Sequence, residues 1–320
     1  MSGSLRIGTR ASPLALWQTH RIQHLLERAG HRSEAIEITT TGDHVLDVPL
    51  ARIGSVALFT RQLDDALLAG RIDCAVHSLK DLPTRLPDGI VLAAVGERAD
   101  VRDALVGRGG LAWAALPAGA TVATSSLRRR AQLLRARPDL VVVDVRGNVQ
   151  TRLRRLEEQP TWSATMLAVA GLERLGLGDV ITERLDPELM LPAPSQGALG
   201  VTARRDDGAT RRLLHDVLHD PNTAVATAAE RGFLRALDGG CQVPVAALAA
   251  VEADGGRWRV ALRGRVVSLE GDVTCEGTLD MQVASEGEAE GLGERLAGRL
   301  LEDGAGPVLD AARMHAQSGA

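Results

Sequence analysis

The sequence predicts an α/β protein with two successive α/β domains and a smaller α+β domain at its carboxyl end. Short apolar strands alternate with segments of helical period from the start of the chain, which implies a mainly parallel sheet. The same alternation begins again near residue 100. After about residue 215 the pattern changes to longer alternating strands with helical segments on both sides.

Helix caps and turns predict the elements of the first domain. Ser12 is suited to cap a helix with Pro13 at its first position, and Gly30 is suited to end that helix. A strand at Leu5–Thr9 precedes the helix. Further strands are predicted at 35–39 and 72–76, with a helix that ends at Gly70 between them.

The rest of the chain divides in the same way. Segment 191–204 is predicted to be a hinge followed by a strand that returns to the first sheet. We expect domain 1 at 1–97 and 194–213, domain 2 at 98–193 and domain 3 at 214–320. Predicted strands lie at 121–123, 140–145, 165–169, 245–251, 258–267 and 273–283, and predicted helices at 126–137, 224–237 and 289–301, with a further helix capped by Asn148.

Composition excludes several classes of protein. The chain has 320 residues, a net charge of −4 and 45% hydrophobic residues, which is typical of a globular protein. No apolar run approaches the roughly 20 residues that a membrane span needs, and no signal peptide is predicted, so we expect a cytoplasmic protein. Three cysteines without a C-x-x-C pair predict neither a disulfide framework nor a zinc site. With no tyrosine and two phenylalanines, stacking platforms for nucleic acid are not expected.

Arginines cluster where predicted strands meet helix starts. Arg128 and Arg129 lie in the first turn of a predicted helix, behind the hydroxyl residues 124–126. Exposed cations there oppose the helix dipole by about 0.3–1 kcal/mol each, and a bound anion would remove the conflict. These side chains are either solvated helix faces or the wall of a site for several carboxylates or phosphates. The same arrangement recurs at Arg10, Arg146 and Arg152.

A second cluster follows a predicted buried strand, at residues 77–83. Asp81 could accept a hydrogen bond from a substrate N–H, stabilise a cation or transfer a proton. The alternative is a loop aspartate satisfied by backbone N–H groups. Lys80 is the single lysine among 37 basic residues, and it would keep Asp81 ionised or bind a carboxylate. We interpret His77 as structural.

The third cluster is a Gly-Gly-Cys loop that ends at Cys241. Its two glycines permit positive φ angles and leave room beside the thiol, as a nucleophilic or linkage cysteine requires. Cys74 and Cys275 fall in strand patterns and are interpreted as packed small hydrophobic residues. The loop alone does not decide whether Cys241 has a chemical role.

Taken together, these segments resemble the porphobilinogen deaminase family along almost the whole chain. So many motifs in the right order and spacing are highly specific. They are TRASPLALWQ (9–18), TTGDHVLDVPL (40–50), DCAVHSLKDLP (73–83), TSSLRRRAQL (124–133), RGNVQTRL (146–153), LAVAGLERLGL (167–177), LPAPSQGALGV (191–201) and DGGCQVPV (238–245).

The resemblance implies a fold and a reaction. It implies two domains of the periplasmic-binding-protein type that flank a cleft, and a third domain that carries the cysteine. It also implies a dipyrromethane cofactor, joined by a thioether to Cys241. Four porphobilinogen units are then added head to tail with loss of ammonia, and hydrolysis releases hydroxymethylbilane. A monomer is expected by the same resemblance.

Residue roles follow from the motifs that match. Asp81 would be the catalytic carboxylate, which hydrogen-bonds pyrrole nitrogens and stabilises the azafulvene cation formed on deamination. Besides Cys241, the residues that would bind the cofactor are Lys80, Ser126, Arg128 and Arg129. Those that would bind substrate carboxylates are Arg10, Ser12, Gln18, Arg146, Arg152 and Arg174.

The chain departs from the family pattern in a few places. Val56 stands where the family usually has a lysine, and Thr41 where it has an arginine, both in a segment that covers the cleft in the family. Ser195 replaces a usual glycine, for which we expect a minor effect. These changes motivate one alternative, a paralogue with weakened catalysis. The other alternative is a non-catalytic two-domain module that binds anions.

Overall fold

A computed structural model of the chain describes residues 4–39, 60–237 and 243–318. In these residues the chain forms two five-stranded sheets and one three-stranded sheet, each with helices packed against it. The predicted fold class, two α/β domains followed by a small α+β domain, is confirmed.

The elements are numbered in chain order over the described residues. The strands are β1 (Leu5–Thr9), β2 (Ser33–Glu37), β3 (Cys74–Ser78), β4 (Ile90–Val95), β5 (Asp103–Gly107), β6 (Thr121–Ala123), β7 (Val141–Val143), β8 (Trp162–Ala168), β9 (Glu183–Arg184), β10 (Leu199–Arg204), β11 (Val245–Asp254), β12 (Arg257–Val267) and β13 (Thr274–Val283). The helices are α1 (Pro13–Arg28), α2 (Arg61–Leu68), α3 (Leu127–Ala136), α4 (Val149–Glu158), α5 (Val169–Arg174), α6 (Gly208–Leu218), α7 (Pro221–Ala236), α8 (Glu286–Leu300) and α9 (Gly306–Ser318).

The first sheet has the strand order β2-β1-β3-β10-β4. Strand β10 pairs antiparallel with both β3 and β4, as expected for a strand that returns from the second half of the chain, and the other four strands share one direction. Helices α1 and α6 supply apolar side chains to the core of this sheet, including Ile22, Leu26 and Leu214, which pack with Ile7 and Val76.

The other two sheets enclose separate cores. The second has the order β7-β6-β8-β5-β9, with β5 antiparallel to both of its neighbours. The third is the antiparallel meander β11-β12-β13 under helices α7 and α8. These two helices approach closely at Gly293, where an added Cβ would lie 2.1 Å from the carbonyl oxygen of Ala229. The glycine therefore permits the backbone contact that closes this core.

Several strand boundaries differ from their predictions by one to three residues, and the difference at β3 has a clear reason. The strand predicted at 72–76 begins instead at Cys74. The N–H groups of Arg71 and Ile72 both donate to the carbonyl of Ala66, so these residues close the last turn of α2. Ile72 is nevertheless fully buried. Its apolar character reflects packing rather than strand pairing.

Two chain segments, 96–102 and 191–198, connect the first two sheets and run side by side. The N–H of Ala99 donates to the carbonyl of Gly197 at 3.2 Å. Glu230 on α7 joins them: its carboxylate is fully buried and accepts hydrogen bonds from Arg98 at 2.8 and 2.9 Å and from the N–H of Ser195 at 2.6 Å. We refer to these two segments as the crossing segments.

Ser195 has a backbone conformation that favours glycine. Its φ is 65°, the one positive value for a non-glycine residue among those that the structure describes, and its hydroxyl is buried without a hydrogen-bond partner there. The left-handed region costs an L-residue about 1–2 kcal/mol, and the added flexibility of glycine returns about 0.5–1 kcal/mol of that. The serine therefore strains the crossing segment locally.

We predict that Ser195→Gly raises the free energy of unfolding by about 1 kcal/mol, since it removes both the strain and the unsatisfied hydroxyl. The midpoint of urea denaturation measures this. Ala198→Gly is the matched control, because this buried neighbour has no positive φ and its substitution should lower stability. A lower midpoint for Ser195→Gly would contradict the assignment of strain.

Candidate active site

Asp81 ends a single turn of 3-10 helix that follows β3 directly. Buried Leu79 and Leu82 anchor the turn, and the N–H of Leu79 donates to the carbonyl of Ala198 at 3.0 Å. The Asp81 side chain is exposed at the carboxyl end of the strand. Ligands of open α/β sheets bind at this edge.

Lys80 lies on the same 3-10 turn, and its side chain extends toward Gln196. Its ammonium donates to Oε1 of Gln196 at 3.1 Å. Burial lowers the pKa of Lys80 to about 8, although the carboxylates of Asp81 and Asp103 act in the opposite direction. Because burial removes part of the solvation of this ammonium, it gains from binding an anion.

Arg128 and Arg129 begin helix α3 and are both buried, each 5% exposed. Ser126 caps the helix, with its hydroxyl accepting from the N–H of Arg129 at 3.4 Å. The guanidiniums lie against Asp103, at 2.7 Å from Arg128 and 2.7 Å from Arg129. The sequence suggested a bound anion as the partner of this pair, and the structure adds a carboxylate of the protein itself, which sequence reasoning missed. The available signal was an aspartate at the first position of the apolar strand β5.

A further pair of cations lies around the start of helix α4. Asn148 caps this helix by accepting from the N–H of Thr151 at 2.9 Å, as predicted. Arg152, one turn on, donates to the carbonyl of Gly147 at 2.9 Å. Burial, together with the charges of Arg129 and Arg146, lowers the pKa of Arg152 to about 10, although the carboxylate of Asp81 acts in the opposite direction.

The electrostatic interactions among these side chains show which of the predicted site residues the fold brings together. Asp81 and Lys80 come from the first sheet, while the arginines come from the second, and the charges of the two groups act on each other. Lys80 and Arg152, with pKa values of about 8 and about 10, are still protonated at neutral pH, so positive charge is concentrated in a partly desolvated place. Such a site favours a ligand with several carboxylates. Its members are Lys80, Asp81, Arg128, Arg129, Arg146 and Arg152.

Arg174 contacts the second crossing segment. It ends helix α5, donates to the carbonyl of Gly197 at 2.6 Å, and lies 5.7 Å above the ring of Trp17 on α1. Burial lowers its pKa to about 10. Arg174 therefore contacts elements of the first domain from the second.

The remaining predicted residues lie just after the end of β1 and in the first half of α1. The Ser12 hydroxyl caps α1 by accepting from the N–H of Ala15 at 3.4 Å. Gln18 is almost fully buried and donates to the hydroxyl of Ser78 at 2.7 Å, so it supports the end of β3. The charge of Arg10 acts on His77.

His77 has the structural environment predicted for it. The ring is buried, and Nε2 lies 3.1 Å from the hydroxyl of Thr202 on the neighbouring strand. Burial, aided by the charge of Arg10, lowers its pKa to about 4, so the ring is neutral at physiological pH. A neutral, enclosed imidazole contributes packing and one hydrogen bond.

Two of the three cysteines are described, and both are buried. Burial raises the pKa of the Cys74 thiol far above its ordinary value, and burial also raises that of Cys275. Cys241, Val56 and Thr41 lie outside the described residues. Over the described ranges, no cluster of histidine, cysteine, aspartate and glutamate is placed to hold a metal ion, and no helix is long and apolar enough to cross a membrane.

Comparison with known proteins identifies two matching family models and several relatives of similar length. Residues 5–212 match the family model described as "Porphobilinogen deaminase, dipyromethane cofactor binding domain", and residues 224–302 match "Porphobilinogen deaminase, C-terminal domain". A porphobilinogen deaminase of Rubrobacter xylanophilus is 52% identical over 97% of both chains. One of Syntrophotalea carbinolica is 48% identical over 97% of this chain and 96% of the other. Among solved structures, a periplasmic substrate-binding protein of Coxiella burnetii covers 71% of this chain and 96% of its own, at 18% identity and a TM-score of 0.43.

Proposed function

The chain belongs to the porphobilinogen deaminase family, and from this premise we propose which of its residues carry out the activity. The protein is a transferase that joins four porphobilinogen units head to tail, with release of ammonia, and yields hydroxymethylbilane. The reaction takes place on a dipyrromethane cofactor. Neither alternative, the weakened paralogue or the non-catalytic module, receives support from these relatives.

One observation carries the proposal: the exposed carboxylate of Asp81 lies at the carboxyl end of β3, where its charge acts on the partly buried cations Lys80 and Arg152. Each pyrrole unit carries two carboxylates, so the cations would bind the periphery of the chain. A charge-assisted hydrogen bond contributes about 1.5–3 kcal/mol, so a few guanidiniums suffice to hold it. The pyrrole rings are the part that becomes cationic, and Asp81 is the group suited to meet them.

In the proposed mechanism, Asp81 accepts hydrogen bonds from pyrrole N–H groups. When the C–N bond of the protonated aminomethyl group of porphobilinogen breaks, ammonia leaves with the bonding electron pair, and the pyrrole nitrogen supplies the electron pair that forms the azafulvene cation. The carboxylate stabilises that positive charge. The negative charge of Asp81 interacts favourably with the positive charges of Lys80 and Arg152.

The residues present also fit the cofactor. We propose that Arg128, Arg129, Lys80 and Ser126 contact the acidic side chains of the dipyrromethane, because the two arginines are buried cations, Ser126 caps their helix and the charge of Lys80 acts on the pair. When bound, the cofactor supplies the pyrrole carbon to which the first substrate unit is joined. Arg10, Ser12, Gln18, Arg146, Arg152 and Arg174 are proposed to bind substrate carboxylates.

We propose Cys241 as the attachment point. A thioether forms from an accessible, ionisable thiol. Burial raises the pKa of the Cys74 and Cys275 thiols, which makes them poor nucleophiles. Helix α7 ends at Ala236, shortly before the Gly-Gly-Cys loop, so the third domain would carry the cofactor.

Domain limits and cellular context are part of the proposal. We propose domain 1 at 1–97 and 194–213, domain 2 at 98–193 and domain 3 at 214–320, in agreement with the membership of the three sheets. A monomer in the cytoplasm, without a nucleic-acid or membrane partner, remains a prediction from the sequence and the family resemblance. Light scattering after size-exclusion chromatography tests the monomer.

The intact mass of the purified protein tests the assignment. Protein from cells able to make tetrapyrroles should exceed the sequence mass by one dipyrromethane, and Ehrlich's reagent should colour it. Porphobilinogen should be consumed with release of ammonia. An unmodified mass together with no consumption of porphobilinogen would overturn the proposed function.

A further inference from the structure

Asp103 lies at the centre of the cofactor-binding cations proposed above. It is the first residue of β5 and is fully buried. One carboxylate oxygen lies 2.7 Å from Nη1 of Arg128. The other accepts from Nη2 and Nε of Arg129 at 2.7 and 3.1 Å, and from the side-chain amide of Gln196 at 3.0 Å.

Gln196 extends this contact network to the first domain. The same amide nitrogen also donates to the carbonyl of Val101 at 2.8 Å, while Oε1 accepts from Lys80 at 3.1 Å. Gln196 is fully buried and belongs to the second crossing segment, and Val101 to the first. One carboxylate and one amide thus hold cations of both domains at the point where the chain crosses between them.

We propose that Asp103 is a positioning residue, the built-in counter-ion that limits how tightly the cofactor-binding cations hold the pyrrole chain. The inference rests on the proposed roles of Arg128, Arg129 and Lys80. A buried guanidinium needs a partner. Among the described residues, the ion-pair partner of Arg128 and Arg129 is Asp103, so if it supplied no charge, the carboxylates of the pyrrole chain would take its place. With Asp103 present, part of the cationic charge is already neutralised, and a chain that must shift after each addition is bound less tightly.

A purely structural role for Asp103 predicts something different. Loss of a buried ion-pair partner would then lower the stability of the protein and, by disturbing the site, weaken the binding of every ligand there. The counter-ion role predicts tighter binding of carboxylates when the negative charge is removed, and weaker binding when one is added at the same place. The sign of the change in affinity therefore separates the two roles.

The affinity is measured without turnover, by calorimetric titration of free dipyrromethane tetra-acid into full-length Cys241→Ser protein, which leaves the site open to a reversible ligand. Asp103→Asn should bind the tetra-acid about tenfold more tightly. Gln196→Glu should bind it about tenfold more weakly than Gln196→Met, which loses the same hydrogen bonds without adding charge. In the cysteine-containing enzyme, Asp103→Asn should lower kcat without raising KM.

Asp73→Asn is the matched control for loss of a carboxylate that pairs with arginine. Asp73 binds Arg6 at 2.7 Å at the amino end of the first sheet, away from the site. We expect it to lower the denaturation midpoint and to change the affinity by less than about twofold.

Weaker or unchanged binding by Asp103→Asn would overturn the inference. If this variant does not fold, as judged by circular dichroism, equal affinities of Gln196→Glu and Gln196→Met would overturn it instead. Failure of the parent Cys241→Ser protein to bind the tetra-acid at all would instead contradict the proposed cofactor site, so the two failures are distinguishable.

Discussion

Asp81→Ala is expected to lower kcat by about a hundredfold or more while the protein keeps its fold and its dipyrromethane. The carboxylate is exposed on a short turn, so its removal leaves no cavity. A group that meets charge developed during the reaction contributes about 10²–10⁴ to the rate. The decisive measurements are steady-state kinetics with porphobilinogen, the denaturation midpoint and the intact mass of the variant.

Two further substitutions locate the origin of that loss. Asp81→Asn keeps the size and an acceptor oxygen but removes the charge, so a defect close to that of Asp81→Ala would indicate that stabilisation of the cation dominates. Asp88→Ala is the control, because Asp88 is also an exposed carboxylate in the loop before β4. Its kcat should remain within about twofold of the wild type. Near-normal turnover by Asp81→Ala would refute the role assigned to Asp81.

Features that depend on neighbouring residues were predictable from the sequence. Ser12, Ser126 and Asn148 each cap the helix that was predicted to follow, and each accepts from the N–H three residues on. The return of a late strand to the first sheet was also predictable, because segment 191–204 reads as a connection followed by a strand. These predictions succeeded because the determining contact is short-range or the pattern is strongly periodic.

The partner of the arginine pair was not predictable in this way. Arg128 and Arg129 were interpreted either as solvated helix faces or as the wall of an anion site, whereas Asp103 supplies a carboxylate from 26 positions before Arg129. The bond between Lys80 and Gln196 spans 116 positions. Neither contact leaves a trace in local periodicity, because both arise only when the crossing segments bring the two sheets together.

The same geometry changes how the arginine-rich composition is understood. Several of these cations are half-buried, and burial lowers the pKa of Arg152 and Arg174 to about 10. Burying a cation without a full set of partners costs stability, and a bound anion at these positions would recover part of that free energy. In the crossing segments, by contrast, buried polar groups are hydrogen-bonded within the protein. The side-chain amide of Gln196 donates to the carbonyl of Val101, and the carboxylate of Glu230 accepts from the N–H of Ser195.

Cys241→Ser is expected to abolish attachment of the cofactor and therefore turnover. A hydroxyl does not ionise near neutral pH, so it cannot replace the thiolate that forms the thioether. The purified variant should show the unmodified sequence mass and no colour with Ehrlich's reagent. Because a ligand that binds only the folded state stabilises it, the variant should also denature at a lower midpoint than the loaded protein.

Cys275→Ala provides the control that assigns this loss to one thiol. Cys275 lies on β13, 7% exposed, with its sulfur 3.5 Å from the carbonyl oxygen of Asp303, and alanine fits the same place with the loss of one buried atom. We expect this variant to carry the full dipyrromethane mass and to keep its turnover. A dipyrromethane mass on Cys241→Ser would place the linkage elsewhere. Since burial raises the pKa of both other thiols, that result would require the fold around Cys74 or Cys275 to open before the cofactor is attached.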